Sequence, residues 1–333
     1  MKTSVLAERL ALADLDSQLA AVDARLEAAV RTGNPAISLP ALRVVSGGGK
    51  RLRPVLALAA AVAAGGSITD EVITGAVALE LVHAGSLVHD DIMDEAASRR
   101  GVPTINAVEG IRDAILVGDF LLARAGELSA SIGQEVAGAL ARAIAELCDG
   151  QSRETGSAFD VSRTVADYEA SIAGKTAALM RASCEIGALS AGRVEAAPGL
   201  ARFGTAFGMA FQIVDDVLDV ASTAEAMGKP VGNDVKEGVY SLPVLLVLAG
   251  ARGDDVRALL GRDMTVDSID KVLRLVAEDG GVTGALRRAA EFNEGAAAAL
   301  ADLPPGPTAD GLRELPTVYL DWAVQEKMSV IGG

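Results

Sequence analysis

Apolar positions recur at three- and four-residue intervals along almost the whole chain, and that spacing predicts helices nearly everywhere. Over residues 3–32 the apolar row is Leu6, Leu10, Leu12, Leu15, Leu19, Val22, Leu26 and Val30, and Gly33-Asn34-Pro35 ends it. Helices are expected next at 55–64 and 70–94, with three or four more in 106–131, 133–152 and 164–192. Gly150-Gln151 reads as a helix end followed by a polar loop to Asp160. A long helix covers 196–222, and helices resume at 241–251, 254–261, 266–279, 282–302 and 309–328. Pro304-Pro305-Gly306-Pro307 is a rigid turn. No linker divides the 333 residues, so one all-α domain over 1–333 is expected.

Composition reinforces this pattern. Hydrophobic residues make up 50% of the chain and aromatics only 3%, with alanine and leucine dominant, which favours helices over strands. The formal net charge is −15, which argues against nucleic acid as a partner, since a nucleic-acid face is basic. The two cysteines, Cys148 and Cys184, are too few for a disulfide framework or a zinc site and read as small core residues. Met1 to Asp16 reads as an amphipathic helix, not a signal peptide. The longest apolar run, Val55 to Gly66, is too short to span a bilayer, so no transmembrane segment and a cytoplasmic location are expected.

Charge inside this apolar pattern is what needs explaining. His89-Asp90-Asp91-Ile92-Met93-Asp94 and Val214-Asp215-Asp216-Val217-Leu218-Asp219 both read Asp-Asp-x-x-Asp, each at the end of an apolar helical run. Asp90 and Asp94 share a helix face, as do Asp215 and Asp219. Like charges one turn apart repel, and a helix C-terminus disfavours anions. Two such clusters facing each other could hold several Mg²⁺ ions, which bridge a few carboxylates to phosphate oxygens.

Cations and glycines lie at matching intervals. Ser46-Gly47-Gly48-Gly49-Lys50-Arg51-Leu52-Arg53-Pro54 combines backbone that can approach a ligand with three cations, but its spacing is not that of a P-loop. A solvated basic turn and a phosphate site both fit it. His83 lies two turns before Asp90 on the same face. Arg99-Arg100 follows the first acidic cluster, where surface charge and a phosphate clamp are the alternatives. Lys175, beside Thr176 in an apolar helix, is costly to bury without an anion unless it snorkels. Gln212 sits one turn before Asp216, and Met227 to Gly238, which contains Lys229, is a polar segment suited to a lid or an ordinary surface loop.

Taken together these motifs resemble the trans-isoprenyl diphosphate synthases, the polyprenyl synthetase family, from Ser46 to about Leu248. One Asp-Asp-x-x-Asp is a weak signal, since class I terpene cyclases carry one. Two, in order with Gly-Gly-Gly-Lys-Arg-Leu-Arg-Pro, Arg-Arg-Gly-Val-Pro-Thr, Gly-Lys-Thr-Ala and Gly-Lys-Pro-Val-Gly-Asn-Asp, make a strong one. The resemblance implies an isoprenoid synthase fold, a single bundle of antiparallel helices around a deep central cavity, and a homodimer. It implies that Asp90, Asp94, Asp215 and Asp219, with Asp91, hold Mg²⁺, about three ions per site, on an allylic prenyl diphosphate. Asp90, Asp91, Asp94, Asp215, Asp216, Asp219 and Lys175 form the expected catalytic set. Arg99, Lys175, Thr176, Gln212 and Lys229 would bind the allylic diphosphate, and Lys50, Arg53, His83 and Arg100 would bind isopentenyl diphosphate. Val239 stands where many family members carry lysine, which puts one diphosphate contact in doubt.

The residue types suit a chain-elongating prenyltransferase, with a short-chain farnesyl or geranylgeranyl synthase as the alternative. Metals and cations stabilise the departing diphosphate, the second substrate's double bond attacks the allylic cation, and no dedicated base stands out. A terpene cyclase would not need Lys50 and Arg53, and a regulatory subunit would tend to lose the acidic motifs. Small Gly85 and Ser86, with Val82 a turn behind, leave the tail path along the helix open, which points to a product longer than farnesyl. A floor supplied by another helix, such as Ile115 to Leu122, is the competing placement. Gly85→Phe should therefore shorten the product, and an unchanged chain length in a product assay would reject Gly85 as part of the tail path.

Overall fold

A computed structural model of the chain describes residues 3–99, 101–222 and 231–328. Its first half comprises α1 (Thr3–Arg9), α2 (Leu15–Ala29), α3 (Pro35–Val45), α4 (Leu52–Ala63), α5 (Asp70–Met93), α6 (Ile105–Val108), α7 (Ile111–Ile132) and α8 (Gln134–Gly156). The second half comprises α9 (Val165–Ile172), α10 (Ala178–Ser190), α11 (Ala197–Ala221), α12 (Asn233–Glu237), α13 (Leu242–Leu248), α14 (Gly253–Arg257), α15 (Val266–Glu278), α16 (Gly281–Ala299) and α17 (Pro307–Lys327). The one sheet among the described residues is a hairpin, β1 (Ser98–Arg99) against β2 (Val102–Pro103), turning at Gly101 with φ 79°. The chain is thus all-α, as its patterning predicts.

Two long helices organise the rest. α5 starts at Thr69, whose side chain accepts from the Val72 N–H, and is buried nearly all round. By length and composition it could cross a membrane, but 72% of its apolar window is buried inside the fold, where it is the core helix. It packs on α7, α4 and α10, while α11 packs on α10 and α16. One apolar cluster gathers the N-terminal helices around α5, with α10 and the Phe203–Phe207 end of α11. A second gathers α9, the far half of α11 and α13–α16. α11 contributes to both, so its acidic end emerges beside the second cluster.

Three local departures from the periodicity have physical causes. The helix expected over 3–32 breaks at Ala11 and Asp14, both left-handed at φ 47° and 57°. Leu10 and Leu12 point to opposite faces of a continuous helix, yet both are buried, and the break lets both reach the core. Gly150 does not end α8 but marks a close crossing: a Cβ there would overlap the Lys175 backbone nitrogen, and one at Gly174 the Glu146 carbonyl. At that crossing the helix expected over 164–192 widens into a π turn, Ala173–Ala177, which carries Lys175 and Thr176.

Close backbone approach recurs where α10 meets α4. A Cβ at Gly187 would overlap the Ala57 carbonyl oxygen. Gly187→Ala should destabilise the protein by about 1–3 kcal/mol, the usual cost of overpacking a dense core, seen as a lowered denaturation midpoint. An unchanged midpoint would mean that the two helices can part at no cost.

Candidate active site

The C-terminal end of α5 and the cationic loop before α4 enclose a cavity of about 620 Å³. Lys50, Arg53, His83 and Arg99 all line it, so four residues singled out from separate motifs meet in one place. Asp91 joins them, 7% exposed, and accepts from Arg99 Nε at 2.7 Å, while its backbone carbonyl accepts from Asn106 Nδ2 at 3.2 Å. The hairpin β1–β2 turns Arg99 back toward α5 to make this pair. The opposite wall is aromatic: Phe207 and Phe211 from α11 and Tyr319 from α17, with Phe211 and Tyr319 stacked at 4.9 Å. Tyr319 also feels the Asp215 carboxylate, and burial and that charge together raise its hydroxyl pKa.

Arg51, between Lys50 and Arg53, borders the cavity as well, but its guanidinium is taken up by protein partners. It adopts a left-handed φ of 47°, and its guanidinium donates to Glu80 Oε1 at 2.7 Å, Asp23 Oδ1 at 2.9 Å and the Val45 carbonyl at 2.7 Å. It is the anchor of the loop, and the sequence treated it as one more cation. Glu80, one turn before His83, is its partner and was not foreseen.

The acidic ends crowd one another. Burial pushes the Asp90 carboxyl above the ordinary carboxylate value, with Asp94 adding to the effect and Lys175 opposing it. Asp94 is raised in the same way, and Glu237 of α12 contributes from across the site. That coupling sets the end of α5 opposite the segment that follows the second acidic cluster. Lys175 meets burial, which works against its charge, yet Glu154 with Asp90 and Asp94 hold its pKa above normal. The Lys175–Glu154 ion pair exists because α8 continues past Gly150.

Behind the second cluster runs a chain of hydrogen bonds. Thr176 Oγ1 donates to Gln212 Oε1 at 2.7 Å, and Gln212 Nε2 donates to Asp216 Oδ1 at 2.7 Å. Tyr168 OH donates to Asp216 Oδ2 at 2.5 Å. Arg163, buried, holds Ser171 Oγ at 2.9 Å and the Tyr240 carbonyl at 3.2 Å and lies over the Tyr168 ring. Both oxygens of Asp216 are therefore engaged. Asp219 accepts from the Asp234 N–H at 3.1 Å and so fastens α12 to α11. Thr176 and Gln212, expected at the allylic diphosphate, belong to this chain in the structure.

The chain-length candidates lie elsewhere. Val82 is buried, and a Cβ at Gly85 would stand 3.2 Å from the Gly118 carbonyl and 3.3 Å from Leu122 on α7, away from the 620 Å³ cavity. The Ser86 hydroxyl donates to the His83 carbonyl at 2.9 Å. Nearby, His89 packs over Gly118, with Nε2 3.4 Å from the Ile115 carbonyl and 3.7 Å from Asp119. Arg100 and Lys229 lie outside the described residues.

The donor set fits a hard divalent cation. It is all carboxylate oxygen, partly desolvated, and offers a pair at the end of each long helix; Mg²⁺ takes one or two carboxylates and fills its remaining positions with phosphate oxygens and water. Among the described residues no three acidic, histidine or cysteine side chains converge on one point. An all-helical bundle that brings two aspartate-rich helix ends beside a cation-lined, aromatic-walled cavity defines a diphosphate-handling isoprenoid synthase. The chain belongs to the polyprenyl synthetase family, whose model matches residues 34–276. It is 40% identical over 266 residues to component 2 of the heptaprenyl diphosphate synthase of Geobacillus stearothermophilus, covering 79% of this chain and 82% of that one. The decaprenyl diphosphate synthase structure from Rhodobacter capsulatus superposes with a TM-score of 0.86 at 31% identity, covering 96% of this chain and 99% of that one. The polyprenyl synthase of Caulobacter crescentus CB15, complexed with calcium and isoprenyl diphosphate, gives 0.85 at 33% identity, covering 94% and 97%.

The same burial has a pH signature. Burial pushes the Asp216 carboxyl up to about 7, against the opposing hydrogen bonds from Tyr168 and Gln212. A carboxyl whose folded pKa exceeds its unfolded one binds protons more tightly when folded, so its contribution falls as pH rises through that interval. In chelator, the Asp216 contribution to thermal stability should therefore drop from about pH 4 to about pH 7 and level off above it. Asp216→Asn should flatten the slope, and a slope unaltered by this substitution would locate the titrating group elsewhere.

Proposed function

We propose that this protein, as a single all-α domain, condenses isopentenyl diphosphate with an allylic prenyl diphosphate, head to tail, to an all-trans polyprenyl diphosphate longer than farnesyl. The observation that carries the reading is the meeting of Lys50, Arg53, His83 and Arg99 in one cavity beside the Asp90–Asp94 helix end. Isopentenyl diphosphate would lie against Lys50, Arg53 and His83, with Arg100 added. The allylic diphosphate would lie toward Arg99, Lys175 and Lys229, with Thr176 and Gln212 steadying the second acidic cluster. Asp90, Asp94, Asp215 and Asp219 would hold Mg²⁺, three ions in the full set. Bound there, the ions would neutralise the charge that develops on the departing diphosphate.

The chain's own residues do the rest. Lys175 and Arg99 bring fixed positive charge to the leaving group from a partly desolvated position, where it acts more strongly than in water. The Phe207–Phe211–Tyr319 wall keeps nucleophilic water from the allylic cation. The π electrons of isopentenyl diphosphate form the new carbon–carbon bond as the allylic carbon–oxygen bond breaks. The departed diphosphate takes the proton then lost. Product length is supported by the relatives reported above, named for heptaprenyl and decaprenyl products. A cytoplasmic homodimer completes the proposal. Val108, Ile111, Ile115 and Leu116 at the α6–α7 junction present exposed apolar side chains suited to a second copy.

One preparation tests these statements together. Labelled isopentenyl diphosphate with Mg²⁺ and geranyl, farnesyl or geranylgeranyl diphosphate should yield products beyond farnesyl, while Asp90→Asn and Asp215→Asn should each lower kcat by about a hundredfold or more. Product stopping at farnesyl or geranylgeranyl would select the short-chain alternative, and no labelled product from any primer would reject the elongation. Sedimentation should return a dimer mass. Turnover only after a second, different polypeptide is added would replace the homodimer with a two-component enzyme.

A further inference from the structure

The last helix reaches the cationic loop through its single tryptophan. The Lys50 ammonium stands 5.5 Å from the centroid of the Trp322 ring. Trp322 is held in turn: its Nε1 donates to Glu326 Oε2 at 2.8 Å, and its ring lies 5.7 Å from Tyr319, whose ring stacks on Phe211 in the cavity wall. Lys50 follows Gly47-Gly48-Gly49, with Gly48 and Gly49 at φ 74° and 144°, so the loop backbone restrains this side chain little. No carboxylate among the described residues pairs with Lys50. Its neighbour Arg51, by contrast, is fully engaged by Glu80, Asp23 and a carbonyl.

This contrast has a chemical consequence. A carboxylate partner would neutralise Lys50 and compete with an incoming diphosphate. A π face attracts the ammonium without cancelling its charge, and indole does so best among the aromatic side chains. We propose that Trp322 is a positioning residue for isopentenyl diphosphate, its indole face holding the Lys50 ammonium beside the cavity, fully charged, until the diphosphate takes it. The proposal rests on the isopentenyl diphosphate site assigned above and adds α17 to it. It makes the lone tryptophan a reporter for the loading of that site.

The test is a two-residue cycle read in steady-state kinetics. Trp322→Leu should raise KM for isopentenyl diphosphate about two- to fivefold, leaving kcat and KM for the allylic substrate unchanged, and Trp322→Phe should recover part of the loss. In a Lys50→Met background, Trp322→Leu should have no further effect. An equal rise in both backgrounds, or kcat and both KM values moving together, would overturn the proposal. Should the leucine variant fail to fold, Trp322→Phe carries the same cycle. Titration with isopentenyl diphosphate or inorganic diphosphate should also shift the Trp322 emission in the wild type and not in Lys50→Met; emission indifferent to both ligands would equally overturn it. Absence of prenyl transfer by the wild type would instead reject the function assigned above, and the emission response to inorganic diphosphate would still decide the role of Trp322.

Discussion

Carboxylates brought together at the ends of two long helices are the constraint on which the rest of this molecule depends. Burial raises the cost of ionising them, and nearby carboxylates add to it, as the upward shifts at Asp90, Asp94 and Asp216 record. A fold that only needed stability would place apolar side chains there. Instead the surrounding elements are spent on holding the charges in register. Lys175 reaches them from a π turn, Tyr168 and Gln212 take both oxygens of Asp216, and Asp219 fastens α12. The arrangement stays incomplete in protein terms, because no three acidic groups among the described residues close on one point.

Much of this was legible in the sequence, for reasons that differ by element. The two Asp-Asp-x-x-Asp stretches stood out because apolar helices seldom carry such charge without a use. Long amphipathic helices announced themselves through period, and α5, α7 and α11 fall close to the expected bounds. What was not legible depended on contacts between distant segments. Glycine in a helix is weak evidence of an end, and at Gly150 it was a crossing point. Reading it as a stop cut α8 short and hid Glu154, the partner of Lys175. The break at Ala11 was hidden because Leu10 and Leu12 both fit a helical row, and only their joint burial shows that no straight helix serves both.

The Lys50-Arg51-Leu52-Arg53 stretch shows how adjacent residues of one charge take different work. Sequence spacing treats three cations within four residues as one basic feature. All three border or flank the cavity, but geometry separates their work, with the Arg51 guanidinium held by Glu80, Asp23 and the Val45 carbonyl. The signal that could have made this separation was Glu80, an acidic residue in the otherwise apolar run before His83. A charge so placed requires a partner, and the guanidinium of Arg51, with its fixed fork of donors, serves as one better than lysine would.

The same logic bears on how far a product can grow. Gly85 was read as open space behind Asp90, but its missing side chain is what lets α5 approach the Gly118 carbonyl and Leu122 of α7. Small residues on a helix can leave a channel or permit close packing, and here the backbone carbonyl at 3.2 Å shows packing on that face. A tail path along this face, as proposed, would compete with the helix contact for one surface. A long chain would follow α5 by displacing flexible side chains such as Leu122, since the backbone of α7 has far less freedom to move. On the proposed reading, chain length would then depend on how readily the α5–α7 packing yields as well as on the size of any single floor residue.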